Sequence, residues 1–309
     1  MAVSAVYVPY AVNINRAVDL LIDGVVNQVV DTGLAEYVLL ADGGVDPTMI
    51  GVGEHRPMIG FGTTSLGTLL AEASDAFLTA GLALSGSAIA EAYCYKVAEA
   101  GTRAGAGSHV KVAVNQGLLV PRGFSVAVGR TPALLDCDIV ATYDGTNAPF
   151  VITDSADVPG TPHADESYFM GPLTINGSAI DGVQAVRYQT GITLLTLSGA
   201  AGYAEFVAIA SRLPLLTATV VDVGALYDLG LSGTKQSDTD SAFYLRQGAT
   251  DTPRTADASE AHIKLTFDEG LAWVRRLSGD HPYMAQLVYQ PIWDGSNAAV
   301  VVDTDSAIP

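Results

Sequence analysis

Basic residues are scarce in this chain. Against 33 Asp and Glu stand 15 Lys and Arg, and the formal net charge at pH 7 is -18. The lysines (Lys96, Lys111, Lys235 and Lys264) are scattered, so no basic stripe exists to hold a phosphate backbone. An anionic surface repels nucleic acid and anionic membranes alike. Cysteine is nearly absent: Cys94 and Cys137, with no CxxC, exclude a disulfide framework and a zinc site and read as buried free thiols in a reducing compartment. Long apolar runs are missing as well. Stretches such as 76–90 fall short of the roughly 20 apolar residues of a spanning helix and are broken by Thr, Ser and Gly. The first ten residues place no basic residue before their apolar ones, so no export signal is expected there.

What is present is apolar material in quantity. The chain has 309 residues, 49% of them hydrophobic and 16% charged, with 32 glycines. That suffices for sizeable cores, and a length about twice the usual 150 residues points to two domains or one large one.

Comparison of the chain with itself favours two. His109-Val110-Lys111-Val112-Ala113-Val114-Asn115-Gln116-Gly117-Leu118 aligns without gaps on His262-Ile263-Lys264-Leu265-Thr266-Phe267-Asp268-Glu269-Gly270-Leu271. Tyr143-Asp144-Gly145-Thr146-Asn147-Ala148 then matches Trp293-Asp294-Gly295-Ser296-Asn297-Ala298, and the copies close on Val158-Pro159 and Ile308-Pro309. Upstream, Asp31-Thr32-Gly33-Leu34 echoes Gln189-Thr190-Gly191-Ile192, and Pro57, Gly67 and Leu69 echo Pro214, Gly224 and Leu226. Matches kept in one order at similar spacings predict a tandem duplication with homologous domains at about 1–160 and 161–309.

Each unit reads mostly as strands. In the second, 173–175 and 183–188 are β-prone runs set off by Asn176-Gly177 and Asp181-Gly182, dipeptides that tolerate positive φ in tight hairpins. The segments 192–197, 206–210, 242–247, 262–267, 272–277 and 284–291 continue the pattern. First-half counterparts are 93–97, 111–114, 124–128 and 138–143. A helix opening at Thr64 or Ser65, with Leu66, Leu69, Leu70 and Phe77 on one face, answers a short one predicted from Asp222 to about Leu229. The predicted class is mainly β (α+β): tandem β-sandwich or barrel domains, each flanked by a helix. Small and polar residues at 100–107 and 250–257 read as hairpin tips or arms, each with one arginine, Arg103 and Arg254.

Chemistry is hard to find. The histidines His55, His109, His163, His262 and His281 form no HExxH or i, i+4 pair. His109 and His262 stand out only as a repeated pair that opens an alternating strand with Lys111 and Lys264, which predicts a structural surface or interface position. No Gly-x-Ser-x-Gly elbow occurs. Gly60-Phe61-Gly62-Thr63-Thr64-Ser65 lacks the lysine of a phosphate loop and reads as a glycine-rich strand-to-helix turn. Asp238-Thr239-Asp240 and Asp303-Thr304-Asp305 lack the Gly and distant Glu of a calcium loop, and Asp144-Gly145 and Asp294-Gly295 read as turns. No catalytic, cofactor or metal site is expected.

With those residues in view, the second half resembles the tail tube proteins of long-tailed bacteriophages. The stretch 171–186, Gly-Pro-Leu-Thr-Ile-Asn-Gly-Ser-Ala-Ile-Asp-Gly-Val-Gln-Ala-Val, is similar to their opening strand and hairpin; a helix after Pro214, an arm before His262 and a strand into Gly270-Leu271 follow in the same order. The resemblance implies a β-sandwich with a helix, six such domains per ring, a continuous inner barrel, and rings stacked through arms into a DNA-conducting tube in the virion tail, assembled in the host cytoplasm. With the domain duplicated, three chains make a pseudo-sixfold ring. Implied partners are further copies of the chain and the tape measure, distal tail and tail terminator proteins. DNA passes without specific binding, and no membrane or cofactor is involved. A lumen lined by acidic residues suits that passage. The alternatives are another phage or phage-like structural part (a distal tail ring, a head decoration protein, an injection-device tube) or a β binding module of two domains.

Overall fold

The computed structural model describes residues 5–39, 46, 49–72, 76–86, 88–98, 101, 104–129, 131–160, 167–227, 236–248, 254–279, 282–293, 295 and 298–309. The fold is mainly β, with 62% strand, 5% helix and several antiparallel sheets. Among the described residues no helix is long and apolar enough to cross a membrane.

The first half runs β1 (Ala5–Asn15), β2 (Leu20–Ile22), β3 (Val25–Asp31), β4 (Leu34–Leu39), β5 (Met49–His55), β6 (Met58–Thr63), α1 (Leu66–Glu72), α2 (Phe77–Ala80), β7 (Leu82–Leu84), β8 (Ile89–Ala98), β9 (His109–Val114), β10 (Gly117–Ala127), β11 (Leu134–Ala141) and β12 (Val151–Ala156). The second runs β13 (Tyr168–Ile175), β14 (Ser178–Ala179), β15 (Val183–Gln189), β16 (Thr193–Ser198), β17 (Ala204–Ser211), β18 (Leu215–Val220), a 3-10 turn (Gly224–Leu226), β19 (Gln236–Gln247), β20 (His262–Ser278), β21 (Met284–Ile292) and β22 (Val301–Ser306).

In the first half one sheet has the order β12-β9-β8-β1-β2, and facing it lies β10-β11-β6-β3. The second half pairs its strands the same way, as β22-β20-β19-β13-β14 and β20-β21-β18-β15. The registers coincide. Val151, Ile152, Thr153 and Ala156 face Ala113, Val112, Lys111 and His109; Val301, Val302, Asp303 and Ser306 face Thr266, Leu265, Lys264 and His262, with the bulge at the same place. Bulges also recur after Pro121 in β10 and after Val274 in β20, and after Pro9 in β1 and Met170 in β13. A bulge lets a strand bend and carry a residue that cannot donate to the ladder, which suits Pro9, Pro121 and Pro172.

Local sequence explains much of this. β18, Leu-Leu-Thr-Ala-Thr-Val, buries every second residue, the period of a half-buried strand. Asn176 and Gly177 both have positive φ and close the two-residue hairpin between β13 and β14, as predicted. Gly33 and Gly191 hold one bend in the two halves: each carbonyl accepts a backbone N–H, from Arg56 and Leu213, and a Cβ on either would overlap the carbonyl of that same residue.

Several sequence expectations are corrected. The strands predicted at 262–267 and 272–277 are one 17-residue strand, β20, whereas the first half breaks between β9 and β10 at Asn115-Gln116. The glycines of Gly60-Phe61-Gly62 lie inside β6 rather than in a turn, leaving room for Asp138 and Asp136 on β11. The predicted helix appears in the first half as α1 and α2, with Leu66, Leu69, Leu70 and Phe77 buried. In the second half only the 3-10 turn is found among the described residues; its N-cap is Val223, with no capping side chain, and 228–235 lie outside the description. The domain boundary predicted at 160 and 161 adjoins 161–166, which lie outside it too. One apolar cluster runs through both halves, from Val12 and Leu66 to Tyr188, Phe267 and Val302.

Candidate assembly edges

Two joints hold the halves together. The first is an edge-to-edge sheet pairing: β10 lies antiparallel to β15, with Gly123 opposite Gln189, Phe124 opposite Tyr188 and Ser125 opposite Arg187. The two facing sheets thereby fuse into one path, β20-β21-β18-β15-β10-β11-β6-β3. Phe124 stacks on Tyr188 with ring centroids 5.4 Å apart and on Phe243 at 6.1 Å, and burial pushes the Tyr188 hydroxyl pKa up.

The second joint is a hairpin. Among the described residues β16 and β17 pair only with each other, and they lean on the first half, where Ile192, Leu194, Val207 and Ile209 cover Leu118 and Val120 of β10. At its tip the His55 N–H donates to Gly202 O at 2.9 Å and the Tyr143 N–H to Ala204 O at 2.7 Å, while Tyr203 stacks on Tyr143 at 5.6 Å.

Each joint has counterparts that lack the matching contact among the described residues. β3 is the counterpart of β15 and pairs with β6 alone among the described residues. Residues 276–278 of β20, the counterparts of 123–125, have β21 on one edge and no described strand on the other. The β4–β5 hairpin repeats the β16–β17 register, bulge included, yet Leu34, Val38, Ile50 and Val52 are exposed. Continuous exposed apolar surface and an open strand edge are hazards for a lone molecule and the usual marks of an interaction surface.

The chain matches no protein-family model and no curated protein.

The residues singled out in the sequence fall elsewhere. His109 and His262 are buried, which corrects the expected surface position. Each Nδ1 accepts a backbone N–H across a hairpin, His109 from Lys96 at 3.2 Å and His262 from Gln247 at 3.1 Å, and His262 Nε2 lies 3.0 Å from Ala256 O. They are internal clamps at the base of the loops predicted to be arms. Arg254 is exposed in a bend of its loop; Arg103 lies outside the described residues, as do Asp294, His163 and His281.

The lysines find different partners in the two halves. Lys111 Nζ pairs with Glu91 Oε1 at 2.7 Å, and Tyr93 donates to Glu91 Oε2 at 2.7 Å. Lys264 sits 5.8 Å from the centre of the Tyr244 ring and opposite Asp303. Cys137 is buried and Cys94 half-buried, so the expectation of buried thiols holds fully only for the former; burial pushes both thiols up. Among the described residues no three His, Cys, Asp or Glu cluster so as to hold a metal.

Asp303 closes a turn in β22: the Ser306 hydroxyl and then the Asp305 N–H hydrogen-bond its carboxylate, and these bonds, aided by Lys264, hold its pKa below the usual range. A depressed folded-state value stabilises the protein above the unfolded pKa of about 3.9 and stops doing so as pH falls through the lowered value. Asp303→Asn should therefore lose stability at neutral pH and show a shallower acid-side decline than the parent protein. Urea midpoints measured from about pH 3 to 7 check this; parallel acid limbs would refute it.

The outward face of the fused sheet is mixed in charge. Arg122 Nε pairs with Asp138 Oδ2 at 2.5 Å, Arg187 lies close enough to Asp136 to act on its carboxyl, and Arg276 is exposed on β20. The strands of the second apolar hairpin were predicted at 192–197 and 206–210, but the first hairpin, and the departure of both from the sheet, were missed in the sequence; their signal was apolar residues at successive rather than alternate positions, as in Tyr37-Val38-Leu39 and Leu194-Leu195.

Proposed function

We propose that this protein is a structural subunit of a phage-type tail tube, built from tandem copies of one β unit and assembling as rings of three chains with pseudo-sixfold symmetry around a channel for DNA. The observation that supports it best is the fused sheet: one unit's edge strand already pairs with the next inside a single chain, while β3 and residues 276–278 of β20 each have one edge with no described strand on it. Repetition of one head-to-tail contact generates rings or filaments. The sequence motifs of the second half, the lack of a catalytic motif and the net charge of -18 fit the same reading.

In this reading the outward face of the fused sheet lines the channel. Its wall is a mixture in which Arg122 is met by Asp138, rather than a uniformly acidic surface. The loops that carry Arg103 and Arg254 remain the stacking arms. Since His109 and His262 anchor the bases of those loops from within the core, shortening the loops should spare the fold.

Negative-stain electron microscopy of the purified protein is expected to show hollow tubes with threefold rotational symmetry and a sixfold outline. Variants shortened in both loops should give rings without tubes. Discrete rings from the unaltered chain would favour a distal tail ring or decoration protein, and a monomer at all concentrations would favour a binding module.

A further inference from the structure

We infer that β3 and the β4–β5 hairpin of one molecule dock on β20 of a second copy of this chain, in the register that β15 and the β16–β17 hairpin adopt on β10 within one chain. The inference deepens the ring assembly proposed above and rests on it for the number of copies that close, but the register comes from the internal joint alone.

The internal joint supplies both faces. Wherever β3 and β15 are compared through their shared neighbour, Asp31 stands for Gln189, Val30 for Tyr188 and Val29 for Arg187, because Met58, Ile59 and Gly60 face the first set as Leu215, Leu216 and Thr217 face the second. Likewise Arg276, Leu277 and Ser278 of β20 stand for Gly123, Phe124 and Ser125 of β10, since Gln286, Ala285 and Met284 face them as Asp136, Leu135 and Leu134 do. Transferring the observed pairs puts Arg276 opposite Asp31, Leu277 opposite Val30 and Ser278 opposite Val29 of the second copy.

Burial and charge agree with this register. Tyr188 and Phe124, which meet inside the chain, are each 1% exposed, whereas their counterparts Val30 and Leu277 are 37% and 39% exposed. Both are apolar, as a joint about to be covered requires. The pair with no apolar member is Arg276 with Asp31, of opposite charge and directly across the strands, where a neutral Gly123 faces Gln189 within the chain. A slip by one residue would turn every side chain to the wrong face and separate these charges.

The hairpin agrees as well. Leu34, Ile50 and Val52 stand for Ile192, Val207 and Ile209, and their seat on the second copy is Leu271 and Trp273, the counterparts of Leu118 and Val120. Beside that seat Trp293, the counterpart of Tyr143, is 67% exposed. Tyr143 is the ring on which Tyr203 of the internal hairpin stacks, so Trp293 offers a matching exposed aromatic face.

Disulfide trapping tests the register. Opposed Cα atoms in an antiparallel pair are about 4.5–5.5 Å apart, inside the span of a disulfide. A Val30→Cys/Leu277→Cys variant, oxidised after assembly, should give a ladder of covalent multimers ending in a closed species, at least about tenfold more abundant than from Val29→Cys/Leu277→Cys, whose side chains point to opposite faces. Both parent residues are partly exposed, so the substitutions should fold. Independently, Arg276→Glu should weaken self-association at least about tenfold and Asp31→Arg in the same chain should restore it, read by sedimentation. Absence of the covalent ladder in an assembling protein, equal trapping by the misaligned pair, or a protein that never self-associates would overturn the inference. Covalently closed rings that never form hollow tubes would keep this joint and reject the tail tube; tubes without the trapped bond would do the reverse.

Discussion

Replacing Phe124 by alanine is expected to cost about 3–5 kcal/mol, the range for deleting a fully buried aromatic ring, and to unfold both halves of the molecule together. Phe124 lies on β10 in the first half and stacks on Tyr188 and Phe243 of the second. Its loss removes transfer free energy and leaves a cavity walled by both halves, because the sheet on either side is held by backbone ladders and cannot collapse inward. One cooperative transition shifted as a whole is the expected result in urea or heat. Two transitions, with only one displaced, would mean that the halves fold independently despite the shared cluster. The same change at its counterpart, Leu277→Ala, should cost much less, about 1 kcal/mol, in the isolated chain, since that side chain is already partly exposed. Its effect should appear in self-association instead, which makes the two variants a matched pair for separating folding from assembly.

Removing the cation from Glu91 should be nearly as damaging. Glu91 is buried, with Lys111 Nζ at 2.7 Å and the Tyr93 hydroxyl at 2.7 Å. Burial is also the largest reason that the Tyr93 hydroxyl holds its proton above its usual pKa, and the Glu91 carboxylate reinforces it. Deleting one partner of a buried ion pair strands the other charge where water cannot solvate it, at a typical cost of about 3–5 kcal/mol. Because the Lys111 side chain keeps contact with solvent, about 2–3 kcal/mol is expected for Lys111→Met. The double variant Lys111→Met/Glu91→Gln should recover most of the loss, since no charge is then left behind. Thermal denaturation of the parent, both single variants and the double variant measures the coupling. Additive losses would show that the pair does not act as a unit.

Those two sites also show how much of the molecule was legible beforehand. The paired strands opening at His109 and His262 were visible, because alternation of apolar and polar residues is a local signal that every strand of a sandwich must obey. The burial of the histidines was not. A histidine among alternating residues looks like a surface position until a backbone N–H from the preceding strand of its hairpin is found at its Nδ1. Nor could the sequence tell that Lys111 would meet Glu91 on β8 while Lys264 would sit by Asp303 on β22, because each pairing depends on which strand lies alongside. The hairpin at 192–211 read only as further strands and the one at 34–55 was not read at all, since their distinction lies in leaving the sheet.

By itself, then, the sequence determined the β class, the Asn176-Gly177 turn and the ordered echoes that link the two halves. These rest on backbone preferences and on periodicities that need no knowledge of distant neighbours. Only the tertiary structure decided that the halves share one core, that β10 and β15 fuse their sheets, and that among the described residues β3 and the end of β20 keep an edge with no strand on it while one apolar hairpin is exposed. Sheet edges pair through backbone groups common to all residues, so the choice of neighbour is written in the packing of side chains on both faces and becomes readable only when the strands are in place.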